Sequence, residues 1–350
     1  MLFTEVIRIF FLAVASFALA FLFAPMLLRF LVRHKLGKQI RSAALAPIFA
    51  RLHKNKEGTP TMGGILIWGI TLLVLVVVWI AAKLDGSFWS ALNFFSRPQT
   101  YLPLAALFAA AAVGIVDDLF NIKRIGPAGG GLRMRHRLIL YTAIAAVGAF
   151  WFYFKLEWDV LHIPFFGNVI VGAWYIPIFM LVIVATGFSV NQTDGLDGLA
   201  GGVLLSAFAA YAAIAFILER YDLAALLAVI IGALTVFIWY NIYPAKFFMG
   251  DTGSMSLGVT LGVVAMLTNY ALLLPIIGVI LVVEAASTIL QLVSKRYYRK
   301  KIFLSSPLHH HLEAKGWPEP NVVFRLWLIS AFGAMVGVIL ALLDQGVTIG

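Results

Sequence analysis

The run Ile176-Pro-Ile-Phe-Met-Leu-Val-Ile-Val-Ala-Thr-Gly-Phe-Ser-Val-Asn-Gln-Thr-Asp-Gly-Leu-Asp-Gly198 passes from an unbroken apolar stretch into a short polar turn, and a second apolar stretch begins at Leu199. About 20 apolar residues in a helix rising 1.5 Å each cross the hydrocarbon of a bilayer. A helix on the surface of a soluble domain shows a polar face instead. Ile170–Val190 and Leu199–Leu218 therefore read as two membrane spans joined by Asn191–Gly198. The same pattern recurs outward in both directions, at Ile9–Leu28, Met62–Ala82, Tyr101–Val116, Leu138–Phe154, Leu223–Tyr240, Met255–Leu267, Leu272–Val293 and Val322–Leu343. The third and eighth are short and can begin in their preceding loops. The fold expected is an all-α polytopic membrane protein of about ten transmembrane helices, one domain over residues 1–350.

Composition agrees. The 350 residues are 62% hydrophobic and 12% charged, with mean hydropathy +0.97, against about 45–50% and 25% in soluble domains. The absence of cysteine excludes disulfides and Cys-ligated metals. Of 26 Lys and Arg, 20 fall in alternate loops, those joining spans 1–2, 3–4, 5–6, 7–8 and 9–10. By the positive-inside rule these loops are cytoplasmic and both termini periplasmic. The net charge of +10 is then a topology and anionic-ligand signal, and nucleic acid is not an expected partner. No sustained internal repeat supports an inverted-repeat transporter.

The same five loops hold an unusual set of acids and histidines: Gly58-Thr-Pro-Thr-Met-Gly-Gly64, Asp117-Asp118, Asn191 to Gly198 with Asp194 and Asp197, Phe248-Met-Gly-Asp-Thr-Gly-Ser254 with Asp251, and Ser306-Pro-Leu-His-His-His-Leu-Glu313. Each has a bland reading. Asp117 and Asp118 suit a helix end, and adjacent helical residues point about 100° apart, so both serve one site only where the helix frays. Asp194 and Asp197 have helical spacing, with Asn191 and Thr193 as N-cap residues. Gly250 to Ser254 looks like a tight turn feeding a helix N-terminus whose amides can hold phosphate. Three consecutive histidines cannot all face one ion without a bend, so a zinc site is the weaker reading of His309–His311. Glu284, in the middle of span nine, reads as a hydrogen-bonded structural glutamate. Together, carboxylates with few soft ligands suit Mg²⁺, and Mg²⁺ with basic loops suits phosphoryl transfer. These residues alone point to a Mg²⁺-dependent enzyme joining a soluble phosphate donor to a lipid.

In order and spacing these motifs, with Asn241-Ile-Tyr-Pro-Ala245 and Pro307-Leu-His-His-His-Leu-Glu-Ala-Lys-Gly-Trp-Pro-Glu-Pro320, resemble the phospho-N-acetylmuramoyl-pentapeptide transferases (MraY) of the polyprenyl-phosphate N-acetylhexosamine-1-phosphate transferase superfamily. The resemblance implies a bacterial inner-membrane enzyme, usually a homodimer, with its site facing the cytoplasm. It would transfer phospho-MurNAc-pentapeptide from UDP-MurNAc-pentapeptide to undecaprenyl phosphate, giving lipid I and UMP. It implies Asp117, Asp118 and Asp251 as catalytic acids, with Asp251 the Mg²⁺ ligand. Asp197, Asn241 and Phe248, with the backbone of Gly195 and Leu196, would hold the uridine, and Asn191 and Asp194 belong to the same substrate-binding loop. His309, His310 and His311 would line the donor's phosphate and sugar region.

The sequence departs from the family in places. Asn121 stands where a lysine is usual, leaving Lys123 or Arg124 to replace it, and Phe188 where an Asn is expected. Ser42–Arg51 lacks an acidic-Gly-Pro segment, and Glu57 precedes Gly58 where a basic residue is common. The competitors are a related UDP-GlcNAc transferase, which the His-His-His-Leu-Glu run disfavours, and a solute or metal transporter, which the one-sided crowding of polar residues disfavours.

Overall fold

The computed structural model describes residues 2–38, 53, 56–84, 86, 88–96, 99–126 and 130–346; Ser42–Arg51 lies outside them. Its long helices are α1 (Leu2–Arg33), α2 (Gly64–Leu84), α3 (Tyr101–Ile122), α4 (Met134–Lys155), α5 (Tyr175–Thr193), α6 (Leu199–Ile217), α7 (Tyr221–Asn241), α8 (Gly250–Leu267), α9 (Val279–Tyr297) and α10 (Glu319–Asp344). Among the described residues eight helical segments are long and apolar enough to cross a membrane, or nine if the bent pair that includes α9 is one span. The remaining expected span is α8, which starts with the polar residues Gly250-Asp-Thr-Gly-Ser254 and is buried along nearly all its length.

Burial sorts the helices into an inner and an outer set. The most apolar window of α7 is 78% buried and that of α1 only 17%, although both are strongly apolar. On α1, Phe3, Phe10, Val14 and Leu22 stand exposed, which is tolerable only where lipid is the solvent. At the centre α8 packs between α3 and α5, with α2 across its first turns, while α7 packs against α1, α6 and α2. Two glycines permit these crossings. A Cβ at Gly64 would lie 2.2 Å from the Cα of Gly253, and one at Gly114 would lie 2.4 Å from the backbone of Asp251 and Thr252.

Three local expectations are corrected. Helix α3 does not end at the acid pair but continues to Ile122. The ninth apolar stretch is not one straight helix: Ala271–Ile277 and Val279–Tyr297 meet at 83° across Gly278. Between α4 and α5 a hairpin of β1 (Val160–Ile163) and β2 (Gly167–Ile170), with Val160 opposite Ile170, adds a little sheet to a helical chain.

Candidate active site

Because Gly114 lets α3 touch the first turn of α8, the acids one turn later on α3 reach that helix's N-terminus. Asp118 accepts hydrogen bonds from the amides of Asp251 and Thr252, each 3.0 Å. Unsatisfied amides and the positive end of the helix dipole favour an anion there. The sequence suggested phosphate; in the structure the anion is the chain's own carboxylate. Gly250 enters the turn at φ +74°, and a Cβ there would lie 2.6 Å from Asp118 Oδ2. The turn feeding a helix is thus as expected, but its amides are occupied. Phe248 and Met249, just before it, pair with the first loop, through Phe248 N to Pro60 O (2.8 Å), Gly63 N to Phe248 O (2.8 Å) and Gly64 N to Met249 O (2.9 Å).

Asp117 faces elsewhere, as the 100° offset between neighbours requires in an unfrayed helix. Its Oδ1 accepts from Leu132 N at 2.6 Å, and its Oδ2 sits 2.6 Å from Arg137 Nε, off the hydrogen-bonding direction. Arg137, near the start of α4, is the hub of the site. Its Nη2 donates to Asp251 Oδ2 at 2.9 Å and its Nη1 to Asn191 Oδ1 at 3.0 Å. The Asn191 amide in turn donates to Asp251 Oδ1 (2.7 Å) and Ser254 Oγ (3.2 Å). Asn191 is therefore no N-cap: it lies in the last turn of α5, as does Thr193, whose hydroxyl donates back to Ser189 O at 2.8 Å.

Asp194 and Asp197 are likewise not on a helical face but in the turn between α5 and α6, where Gly198 adopts φ +83°. Burial pushes the Asp194 carboxyl up to about 6, with Lys38 pulling it down and Asp251 and Asp197 adding to the rise. Asp197 accepts from Lys56 Nζ at 2.6 Å and Ala245 N at 3.0 Å, and its own amide donates to Glu319 at 2.8 Å. Lys56 also pairs with Glu319. Asn241 ties the two turns, accepting from Gly198 N (2.9 Å) and donating to Phe247 O (2.8 Å). The ammonium of Lys38 lies 5.4 Å from the centre of the Phe248 ring.

The histidines separate. His309 and Glu284 are both fully buried and paired, Nδ1 to Oε2, at 2.9 Å. Glu284 is thus hydrogen-bonded as expected, by a partner 25 residues away that itself lines the cleft. His309 Nε2 has no hydrogen-bond partner among the described residues and faces the bare backbone of Gly195. His310 Nδ1 lies 2.8 Å from Glu313 Oε2, which also meets His53 Nε2 at 3.2 Å. Burial and neighbouring His309 hold the His310 imidazole down at about 3, against the pull of Glu313. Burial would raise the Glu313 carboxyl, yet the hydrogen bonds with His310 and His53 bring it down to about 2. His311 turns away, accepting from Leu304 N at 3.1 Å with its ring against Phe303.

A cleft of about 400 Å³ joins these groups, lined from all five polar loops. It brings together Asp118, Asn191, Asp194, Gly195, Leu196, Asp197, Asn241, Phe248, Asp251, His309 and His310; Asp117, behind Arg137, and His311 are not in its wall. Asn121 lines it, whereas Lys123 and Arg124 are exposed on the turn after α3. The cation among the acids is Arg137 instead. In the sequence Arg137, Lys38 and Lys56 look like ordinary loop charge, and His53 belongs to none of the motifs. The run Arg133-Met-Arg-His-Arg137 at the start of an apolar span was the available sign, three arginines where one suffices for topology.

As for a metal, Asp251 and Asp117 offer only oxygen, and Asp117 Oδ2 is a buried acceptor without an aligned donor. Asp117, Asp118, Asp194 and Asp251 outnumber the nearby cations Arg137 and Lys38. That donor set and negative surplus fit a hard divalent ion.

Comparison with known proteins agrees with this geometry. Residues 101–269 match glycosyl transferase family 4, and residues 56–67 match phospho-N-acetylmuramoyl-pentapeptide-transferase signature 1. The phospho-N-acetylmuramoyl-pentapeptide-transferase of Chloroflexus aurantiacus is 39% identical over 352 residues, covering 97% of this chain and 91% of the relative. Those of Geobacillus kaustophilus and Thermodesulfovibrio yellowstonii are 37% and 36% identical, covering 92% and 94% of this chain and 94% and 89% of theirs. From α3 and its acids to the last loop, the chain belongs to the phospho-N-acetylmuramoyl-pentapeptide-transferase family.

Proposed function

We propose that this chain transfers phospho-MurNAc-pentapeptide from UDP-MurNAc-pentapeptide to undecaprenyl phosphate, forming lipid I and releasing UMP at the cytoplasmic face of a bacterial inner membrane. The observation that carries it is the Arg137 hub, one guanidinium bridging Asp117 and Asp251 inside a cleft that gathers every polar loop. The excess of Lys and Arg in those loops supports the cytoplasmic orientation and periplasmic termini, and the family resemblance supports a homodimer.

Asp251, with Asp117 beside it, would hold Mg²⁺, which when bound supplies charge neutralisation to the donor's diphosphate. Asp118 fixes the first turn of α8 and so aims Asp251. Arg137 and Lys38 offer cations to phosphate oxygens as charge shifts during transfer. The turn at Gly195–Asp197, with Asn241 and Phe248, forms the wall for the uridine, and His309 and His310 the wall for the phosphates and sugar. The lipid phosphate, with a second pKa of about 6 by analogy with phosphorylated side chains, is largely dianionic near neutrality. Its oxygen attacks the sugar-bearing phosphorus, a new P–O bond forms, and the bond to the UMP phosphate breaks with its electron pair on UMP. A covalent aspartyl route is disfavoured because Asp117 is fully buried and held by Leu132 N and Arg137.

The test is UMP release by purified protein given UDP-MurNAc-pentapeptide, undecaprenyl phosphate and Mg²⁺. Release that EDTA and Asp251→Asn abolish supports the reading. Release from UDP-GlcNAc instead moves the chain to the neighbouring activity, and stoichiometric UMP without any lipid overturns direct attack.

A further inference from the structure

Away from the carboxylates on Arg137, a second set of ligating side chains stands together, and only His310 among them has a place in the donor wall above. Glu313 Oε2 stands 2.8 Å from His310 Nδ1 and 3.2 Å from His53 Nε2, and the three ligand atoms lie within 4.8 Å of one another. A tetrahedral ion with bonds of about 2.0–2.1 Å spaces its ligands about 3.3 Å apart, so small ring rotations suffice. All three side chains are buried, at 2% (His53), 9% (His310) and 8% (Glu313) exposure. His310 and Glu313, three apart on the short helix Leu308–Ala314, share a face by construction. His53 arrives from 260 residues earlier in the chain than Glu313.

We propose that His53, His310 and Glu313 form a metal site for a zinc-class transition ion, which clips the first loop to the Leu308–Ala314 helix. Two imidazoles and one carboxylate are a borderline donor set, suited to Zn²⁺ and unsuited to Mg²⁺, which demands oxygen. The site is therefore chemically distinct from the one at Asp251. An imidazole that ligates an ion keeps its proton on the far nitrogen. Both imidazoles line the cleft, from which water or an anionic oxygen would supply a fourth ligand. His53 lies three residues before Lys56, the partner of Asp197 and Glu319. A clip at His53 thus holds that lysine, and the wall it braces, in place. The inference stands independently of the transfer activity.

The test uses tag-free full-length protein in detergent, stripped with EDTA and desalted, then titrated with ZnCl₂ and with CoCl₂. One equivalent of Zn²⁺ is expected, with the visible absorption of four-coordinate Co²⁺ and two imidazole ligands in zinc-edge X-ray absorption. Losing even an outer-shell partner costs about 10–100-fold in metal affinity, so His53→Gln and Glu313→Gln should each lower affinity at least that much. His311→Ala and Asp251→Asn should leave it unchanged. His53→Gln keeps a donor for Glu313, so its loss of zinc reports ligation and not a broken fold. Should the variants fail to fold, the X-ray absorption of the wild-type protein still decides. An oxygen-only shell, undiminished binding in the His53 and Glu313 variants, or loss of zinc in Asp251→Asn overturns the proposal.

Discussion

Asp118→Asn tests whether the second acid acts through α8 and not on the substrate. The asparagine keeps the shape but turns one of two acceptor oxygens into an amide donor facing the N–H of Asp251 or Thr252. A hydrogen bond to a charged group contributes about 1.5–3 kcal/mol, and an anion at a partly buried helix N-terminus up to about 2 kcal/mol. These overlap, so the expected loss is about 2–4 kcal/mol. A displacement of about 1 Å in a catalytic group costs about 10²-fold in rate, so turnover should fall by that order, with half-saturating Mg²⁺ raised and donor KM nearly unchanged. Thermal unfolding followed by tryptophan fluorescence, beside UMP release across a Mg²⁺ series, measures both. An Asp118→Asn protein that melts with the wild type yet has no turnover would refute the argument, because the carboxylate would then be acting on the reactants directly. Lower melting with full turnover would refute the link from Asp118 to Asp251.

Arg137→Met should destabilise by about 3–5 kcal/mol, the usual cost of leaving buried charge uncompensated, and Arg137→Lys should recover more stability than turnover because an ammonium cannot span Asp117, Asp251 and Asn191 at once; melting and UMP release in both variants check this. Asp194 gives a pH signature. Its folded pKa, about 6, exceeds the ordinary aspartate value of 3.8, so the folded state binds more protons and its contribution is present below about 4 and lost as pH rises through 6. Asp194→Asn should flatten that part of the melting-temperature profile. Gly114→Ala places a Cβ 2.4 Å from the backbone of α8 and should cost about 1–3 kcal/mol by overpacking while weakening apparent Mg²⁺ affinity. Wild-type melting with wild-type Mg²⁺ dependence would contradict the tight crossing.

The helices were legible because apolar runs of this length have one use, and the family followed from motifs that keep their spacing over almost the whole chain. Helix ends were less legible. Asp117-Asp118 looks like a terminus, yet α3 runs on to Ile122 because Asp118 is satisfied by another helix's amides, a partner 133 residues away. The break at Gly278 was hidden because hydropathy does not register direction. In the site, every acid in the cleft wall, Asp118, Asp194, Asp197 and Asp251, was anticipated, but the partners of these acids were not. Arg137, Lys38 and Lys56 look like any positive-inside charge until the fold shows which carboxylates they face. His53 and Glu284 each needed a contact across long sequence separation to acquire a role.

The separation between Asp118 and the amides it caps also has a consequence in time. The chain is made from its N-terminus, at about 5–20 residues per second, so about 7–27 seconds pass between the synthesis of Asp118 and that of Asp251, 133 residues later. Asp117 waits far less, for Leu132 and Arg137 follow within 20 residues. During that interval the amides that Asp118 caps in the folded chain have not yet been made. Arrival of α8 then supplies those amides and places Asp251 beside Asp118. The site is assembled by the last third of the chain arriving on the first, and a ribosome stalled before residue 252 leaves spans in the bilayer with no reaction centre.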